Sequence, residues 1–433
     1  MEKSRKTKFY LSLVIFSLVG QIAWVIENMY FNVFIYEMFN ATPADISAMV
    51  SASAVSATLT TVFIGALSDK LGRRKAFISV GYILWGISIL AFTLVKVDVI
   101  SALFPTAASA SAICVTATIV LDCVMTFFGS SANDACFNAW LTDSTDSKNR
   151  GRAEGINSMM PLVAILAVFG GFMGFDLSLE SSWTAIFIII GSAVILIGVL
   201  GIFIIDEPTV CSDENKSLLR NVIYCLRPSV IRENGRLYAS LIGFALFGIS
   251  IQIFMPYLIL YYTESLRMEN YVLIMAPAII LAAVFTAIWG GVYDKIGFKN
   301  AVYPSLALLA AGYAVLTLWR STAPVFIGSL LMMCGYLSGS AVFGAVIRDN
   351  TPKNRSGMLQ GVRILCQVLL PGVIGPQISV WVLRDAEYVV NSDGTQSFIP
   401  NEKIFIAALV ALAVLAAYIT TYFILTKKEK KNG

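Results

Sequence analysis

The chain has 433 residues, of which 57% are apolar and 13% charged, with 31 Lys and Arg against 27 Asp and Glu. Soluble domains run at about 45 to 50% apolar and a quarter charged, so a soluble globular protein is excluded. The sequence holds no histidine, which removes HExxH zinc sites, haem His ligands, His proton shuttles and Ser-His-Asp triads.

Twelve apolar blocks near the roughly 20 residues that a helix needs to cross about 30 Å of hydrocarbon follow one another along the chain. They predict an all-α membrane protein with six helices near 9–36, 44–67, 76–95, 118–141, 155–175 and 183–205. A second six are expected near 237–263, 271–292, 301–319, 324–347, 359–383 and 404–425. The basic start of the first block resembles a signal peptide, but its apolar pattern continues past Tyr30 without a small-residue cleavage site, so an uncleaved first helix is expected. The domains expected are a bundle over 1–205, a cytoplasmic linker over 206–236 with an interfacial helix or plain solvated chain near 218–226, and a second bundle over 237–433. The stretch 385–402 reads as an outer loop.

Alternate connections differ sharply in charge. The N-terminus, the even-numbered connections and the C-terminal tail hold 25 of the 31 Lys and Arg, while the opposite face holds Lys96, Arg267, Arg320, Arg384 and Lys403. The positive-inside rule then puts both termini in the cytoplasm, and a plasma or inner membrane is the location expected. No GxxxxGK[ST] phosphate loop or GxSxG elbow occurs, so neither an ATP-driven pump nor a hydrolase is expected and the chain is read as a non-enzyme. The seven cysteines form no CxxC pair and read as small packing residues. No cofactor or metal is expected beyond a coupling ion, H+ or Na+. The expected partners are a small-molecule substrate and the lipid bilayer, without nucleic acid, for a chain working as a monomer.

Two landmarks recur in order, the sign of two halves built alike. GALSDKLGRRK at 65–75 pairs with GVYDKIGFK at 291–299, and DSTDSKNRGRAEG at 143–155 with DNTPKNRSGMLQG at 349–361. The first half carries 19 more residues between its landmarks, assigned to the outer connection around 96–113. The run Gly65, Asp69, Lys70, Gly72, Arg73, Arg74, Lys75 resembles the loop signature of the major facilitator superfamily, with a degraded copy around Asp294 and Gly297 where Phe298 replaces the first arginine. That resemblance covers essentially the whole chain and implies two pseudo-symmetric six-helix bundles that alternate access to one central site. Physically, the two glycines allow close approach and a tight turn, and Asp69 can pair with Arg73 or Arg74 or face the start of a neighbouring helix. Arg363 is a gate partner for Asp69 or an anchor that snorkels to the cytoplasm. The bland reading of the whole loop is topology anchoring alone.

An acidic residue near mid-bilayer costs about 2.5 to 3.5 kcal/mol on insertion scales, so each asks for a reason. Glu27 lies ten residues before Glu37 and shares a helical arc with Gln21, Trp24, Asn28 and Asn32. Asp134 shares another with Phe127, Ser130, Ser131 and Asn138. Glu27 and Asp134 are candidate cation or proton carriers and substrate ligands, with Asn28, Asn32 and Asn138 as hydrogen-bond partners and Trp24 as an aromatic platform. The competing reading is interhelical structural glue. Asp122 is expected close to the outer end of the fourth helix, near water. Gln252 and Gln367 are the comparable polar groups of the second half, and the PGVIGP run at 371–376 reads as a kink or close-packing element.

The acidic first and fourth helices with D-x-x-D and N-R-G-R resemble the glycoside, pentoside and hexuronide cation symporters, and GRRKAFISVGY is similar to their sucrose-carrying relatives. The glycine-proline motif of drug antiporters is absent from the fifth helix. The function expected is cation-coupled symport of a small polar solute, a sugar or glycoside. The rivals are a facilitator or exporter on the same fold and, from another class, a receptor or interaction protein without transport.

Overall fold

The computed structural model describes residues 2–105, 109–145, 149–207, 227–268, 270–351, 362–391 and 394–432. Helices dominate. In the first half they are α1 (Lys6–Phe39), α2 (Pro43–Leu71), α3 (Arg74–Leu94), α4 (Ala110–Asp143), α5 (Arg152–Phe172) and α6 (Glu180–Ile204). In the second they are α7 (Gly235–Ser265), α8 and α9 (271–296 and 298–318), α10 (Thr322–Asn350), α11 (Val362–Val382) and α12 (Lys403–Leu425). Eleven of the described helical stretches are long and apolar enough to cross a membrane, and the 48-residue Tyr271–Leu318 among them is broken at Gly297, where φ is 71° and ψ 173°. That break makes twelve crossings. By contact the chain divides into two compact units, Met1–Asn221 with Val390–Ser397, and Val222–Val389 with Phe398–Gly433.

Local chemistry sets where these helices begin and end. Thr42 caps α2, its hydroxyl accepting from the Asp45 N–H while Asp45 Oδ2 accepts from the Thr42 N–H at 2.8 Å, with Pro43 in the first turn. This reciprocal cap satisfies backbone donors that the first turn of the helix leaves without intrahelical partners. At the other end Gly72 takes φ 63° and donates to Ser68 O, the left-handed stop that glycine adopts without a Cβ penalty. In the first unit, α3 and α6 approach closely through small residues. A Cβ on Gly86 would lie 2.6 Å from Gly191 O, and one on Gly198 2.7 Å from the Ile83 nitrogen. Toward the end of α1 near Phe39, Phe31, Phe34, Phe92, Trp183 and Phe187 interlock, with centroids 4.6 Å apart for Phe31 and Phe92 and 5.0 Å for Phe34 and Phe187. In the second unit, α9 and α10 touch backbone to backbone, since a Cβ on Gly335 would sit 2.4 Å from the Leu309 nitrogen.

Three expectations need correction. The fourth helix starts at Ala110 rather than 118, because Ser109 caps it and Thr116 and Thr118 return their hydroxyls to Ala112 O and Cys114 O. Those polar residues are therefore satisfied inside a helix and do not mark a loop. The insertion around 96–113 is shorter than expected and holds a helix, Val97–Leu103. The outer stretch 385–402 contains a two-stranded hairpin, Tyr388–Val390 with Gln396–Phe398, turning near Gly394 at φ 83°. Of the linker, 208–226 lies outside the described residues, including the amphipathic segment expected at 218–226. Pro228–Glu233 forms a short helix before α7.

Some charges outside the apolar spans are paired across connections. Lys96 meets Glu180 at 2.7 Å and Arg320 meets Glu402 at 2.7 Å, so two of the five basic residues on the sparse face are held by acids. Between α5 and α6, the Ser178 hydroxyl and backbone N–H both donate to Asp176, which holds that carboxyl below the ordinary carboxylate range.

Candidate functional site

The first unit gathers the deep polar groups around its α1, α2 and α4 helices. Glu27 sits in a π-helical turn, Ile26–Tyr30, that widens α1 locally; such turns in α-helices fall frequently at functional positions. Glu27 is 7% exposed, and its Oε1 accepts from Ser53 Oγ of α2 at 2.5 Å and Thr126 Oγ1 of α4 at 2.9 Å. The two hydroxyls lie 2.9 Å from each other. Glu27 Oε2 is buried with no hydrogen-bond partner among the described residues.

The wider turn also divides the expected polar arc of α1. Glu27 and Asn32 turn inward, Asn32 to full burial, whereas Asn28 is exposed and Trp24 half-buried. Asn28 Nδ2 is spent on Trp24 O and Asn32 Nδ2 on Asn28 O, each one turn back along the helix. Trp24 packs on Trp85 of α3 with centroids 5.0 Å apart, and a Cβ on Gly129 of α4 would meet both rings. Neither indole N–H has a partner among the described residues.

Asp134 lies in a second π-helical stretch, Ser130–Phe137, in α4. It is half-buried and accepts from Ser130 Oγ at 3.0 Å, while exposed Asn138 donates to the Asp134 carbonyl. Behind it Asn133 donates to Tyr82 Oη at 3.1 Å, and Tyr82 donates to Phe16 O, tying α4 through α3 to α1 beside Gly20. Ser53, Thr126, Asn133 and Tyr82 were not singled out from the sequence; hydroxyls and amides carry no charge cost that would flag them in an apolar block.

Asp122 overturns its expectation outright. With α4 beginning at Ala110, twelve residues place Asp122 about 18 Å into the helix rather than at its end. It is 1% exposed, and its Oδ1 has no hydrogen-bond partner among the described residues.

In the second unit the nominated glutamines lie on α7 and α11. Gln367 lies in a π-helical turn, Leu365–Leu369, just before Pro371, whose missing N–H interrupts the regular ladder. Its Oε1 accepts from Arg363 Nε at 3.0 Å. Gln252 stands at the crossing of α7 and α11, where a Cβ on Gly375 would meet its Cβ at 2.6 Å, and Pro371 fills the space at Gly248. The PGVIGP run is thus a close-packing element.

The landmark loops fold alike in the two units. Gly72 and Gly297 both take positive φ between consecutive helices. Gly65 is buried, and its carbonyl accepts from Ser68, whose hydroxyl accepts from Arg74 Nη1 at 2.5 Å. Arg74, 4% exposed, also donates from Nε to Asp143 Oδ2 at 3.2 Å. In the second unit Tyr293 stands where Ser68 does, and its hydroxyl reaches the matching Asp349 directly at 2.7 Å. One tyrosine spans what serine and arginine span together. Asp294 is exposed beside it, and Arg73 is the residue before α3 with no cap bond from its side chain. The Asp69 side chain lies outside the described residues, as does 352–361 of the second landmark. The start of α3 is met by Glu207, both of whose oxygens accept from the Lys75 N–H, a carboxylate at the positive end of a helix.

Among the described residues no group of three or more His, Cys, Asp and Glu is placed to hold a metal ion. The fold is similar to solved transporters along nearly its whole length. The nucleoside transporter NupG, as its D323A mutant, aligns with a TM-score of 0.71 at 14% identity, covering 95% of this chain and 98% of that one. A bacterial homologue of the human lysosomal transporter Spinster, inward-facing and occupied, gives 0.69 at 18%, covering 98% and 97%. The xylose transporter XylE from E. coli gives 0.68 at 13%, covering 95% and 99%. No curated protein sequence matches. The sequence profile of the Major Facilitator Superfamily matches residues 11–376, and with twelve helices and repeated glycine-stopped loops already in place, the chain belongs to that superfamily of membrane transporters.

Proposed function

We propose that the chain is a cation-coupled symporter of a small polar solute, working by alternating access, with a sugar or glycoside as the cargo class. The observation that carries this reading is Glu27, an acid deep in an apolar helix, held on one oxygen by Ser53 and Thr126 and left open on the other. Structural glue calls for a carboxyl whose oxygens are all engaged; an ion carrier needs one that can change its occupant. Asp134, half-buried with Ser130 and next to exposed Asn138, is the companion group with access from outside the unit. Exposed Asn28 and half-buried Trp24 are the solute contacts nominated beside it.

The solved neighbours include a xylose transporter and a nucleoside transporter, which makes pentoses, glycosides and nucleosides the first solutes to test. Likeness to the glycoside, pentoside and hexuronide symporters favours the same classes. Both termini are assigned to the cytoplasm of a plasma or inner membrane, and the chain to a monomer. A thermal-shift panel of those solutes on purified protein, with and without sodium, identifies the cargo. Uptake into proteoliposomes then decides the mechanism: accumulation collapses when the proton or sodium gradient is dissipated. Equal uptake without any gradient marks a facilitator and refutes coupling.

A further inference from the structure

We propose that the end of the second unit where α7 and α9 begin and α12 finishes binds one anionic phospholipid, its headgroup meeting Lys299 and Arg236 and an acyl chain entering the groove beside Phe298. Nothing in this site depends on which solute the chain carries.

The two landmark loops differ in what they do with their charges. In the first unit Arg74, two residues after Gly72, is committed to Ser68 and Asp143. Two residues after Gly297 the matching residue is Lys299, and the matching acid, Asp349, already accepts from Tyr293. Lys299 is exposed, with its Nζ 5.7 Å from the centroid of the Phe423 ring of α12, within cation–π reach. It has no acidic partner among the described residues, and neither do exposed Arg236 and Lys295. At the opposite end of the same unit Arg320 is held by Glu402. The acids next to these cations in sequence are Asp294 and Glu233, and beyond Leu425 the chain adds Lys427, Lys428, Lys430 and Lys431 against Glu429. The excess of positive charge therefore calls for an anion from outside the chain.

Phe298 supplies the apolar half of the site. It stands where the first unit has Arg73, and its ring meets Phe343 of α10 edge-on at 5.6 Å and Phe423 at 6.1 Å. Phe298 and Phe343, with Gly243 of α7 and Tyr418, Ile419 and Tyr422 of α12, line a groove with about 240 Å³ of empty space. Tyr418 fixes one wall by donating to Ala239 O at 3.0 Å. Ser240 of the same wall lies one turn from Arg236 on α7, and Phe298 adjoins Lys299, so both cations flank the end of the groove assigned to the cytoplasm. The groove suits a length of hydrocarbon chain and is too small for a folded partner. Anionic lipids of the cytoplasmic leaflet carry the chain and the negative charge in one molecule, and basic pockets between membrane helices on that side bind their headgroups.

Native mass spectrometry of the purified protein in detergent, supplied with equal amounts of dioleoyl phosphatidylglycerol and dioleoyl phosphatidylcholine, reads the retained lipid without a transported solute. The unsubstituted protein retains one phosphatidylglycerol in preference to phosphatidylcholine. Lys299→Gln and Arg236→Gln each lower that preference about fivefold, whereas Lys403→Gln at the opposite end leaves it unchanged. Ala239→Leu fills the groove and weakens retention of phosphatidylglycerol. Glycerol phosphate, which has the charge without the chain, does not displace the lipid. The proposal is overturned by equal retention of the two lipids, by a preference that ignores Lys299→Gln, or by displacement with glycerol phosphate. Retention of neither lipid, which a groove filled by another segment of this chain would give, overturns it as well.

Discussion

Replacing Arg74 by methionine tests how the landmark loop is held. Arg74 connects Ser68 at the end of α2 to Asp143 at the end of α4, with side-chain exposures of 5% for Arg74 and 28% for Asp143. Removing one partner of a fully buried ion pair costs about 3 to 5 kcal/mol, because the other charge is stranded. Asp143 keeps part of its hydration, and Ser68 keeps its own bond to Gly65 O, so Arg74→Met should cost about 2 to 3 kcal/mol, between the buried and surface regimes. Equilibrium unfolding in mixed micelles measures it. A cycle with Asp143→Asn isolates the pair from the other contacts of Arg74 and should show a coupling of about 1 to 2 kcal/mol. A cost under about 0.5 kcal/mol, or strictly additive variants, refutes the claim that this pair ties α2 and α3 to α4.

The second unit offers a milder version. Tyr293→Phe keeps the ring but removes the hydroxyl that Asp349 accepts, and because Asp349 is exposed the loss should be about 1 kcal/mol, measured by the same unfolding; a loss as large as that of Arg74→Met would contradict the solvent discount. For Asp176, whose folded-state affinity for protons is lowered by Ser178, the contribution to stability is present above the unfolded value of about 3.9 and fades as pH falls through the lower folded value. Carbon NMR of the Asp176 carboxyl should titrate below about 3.9 and return toward it in Ser178→Ala; an unchanged midpoint would remove Ser178 as the cause.

Most of the fold was legible because a bilayer imposes one dominant rule. Each backbone polar group in hydrocarbon must be bonded within its own segment, so span length and charge-free composition alone located the helices. Loop charge and the Gly72 and Gly297 stops then exposed the repeat. Glu27 and Asp134 were legible for a related reason: ionisable groups at depth are costly enough to stand out. Their surroundings were not. The π-helical turns at Ile26–Tyr30 and Ser130–Phe137 change the angular register that assigns residues to faces, so Glu27 and Asn28 separate to opposite environments. The burial of Asp122 was hidden by Ser109, Thr116 and Thr118, whose hydroxyls imitate a loop in sequence while bonding back into the helix. The link from Arg74 to Asp143 joins two loops 69 residues apart, and nothing in their local composition marks the pairing.

The central claim, that Glu27 carries the ion that drives accumulation, is tested most directly by comparing two kinds of transport in proteoliposomes with Glu27→Gln. Exchange of labelled for unlabelled solute needs alternating access but no net ion movement, whereas uphill uptake needs both. The account predicts that the variant retains exchange and loses gradient-driven accumulation. Accumulation at the level of the unsubstituted protein would contradict it.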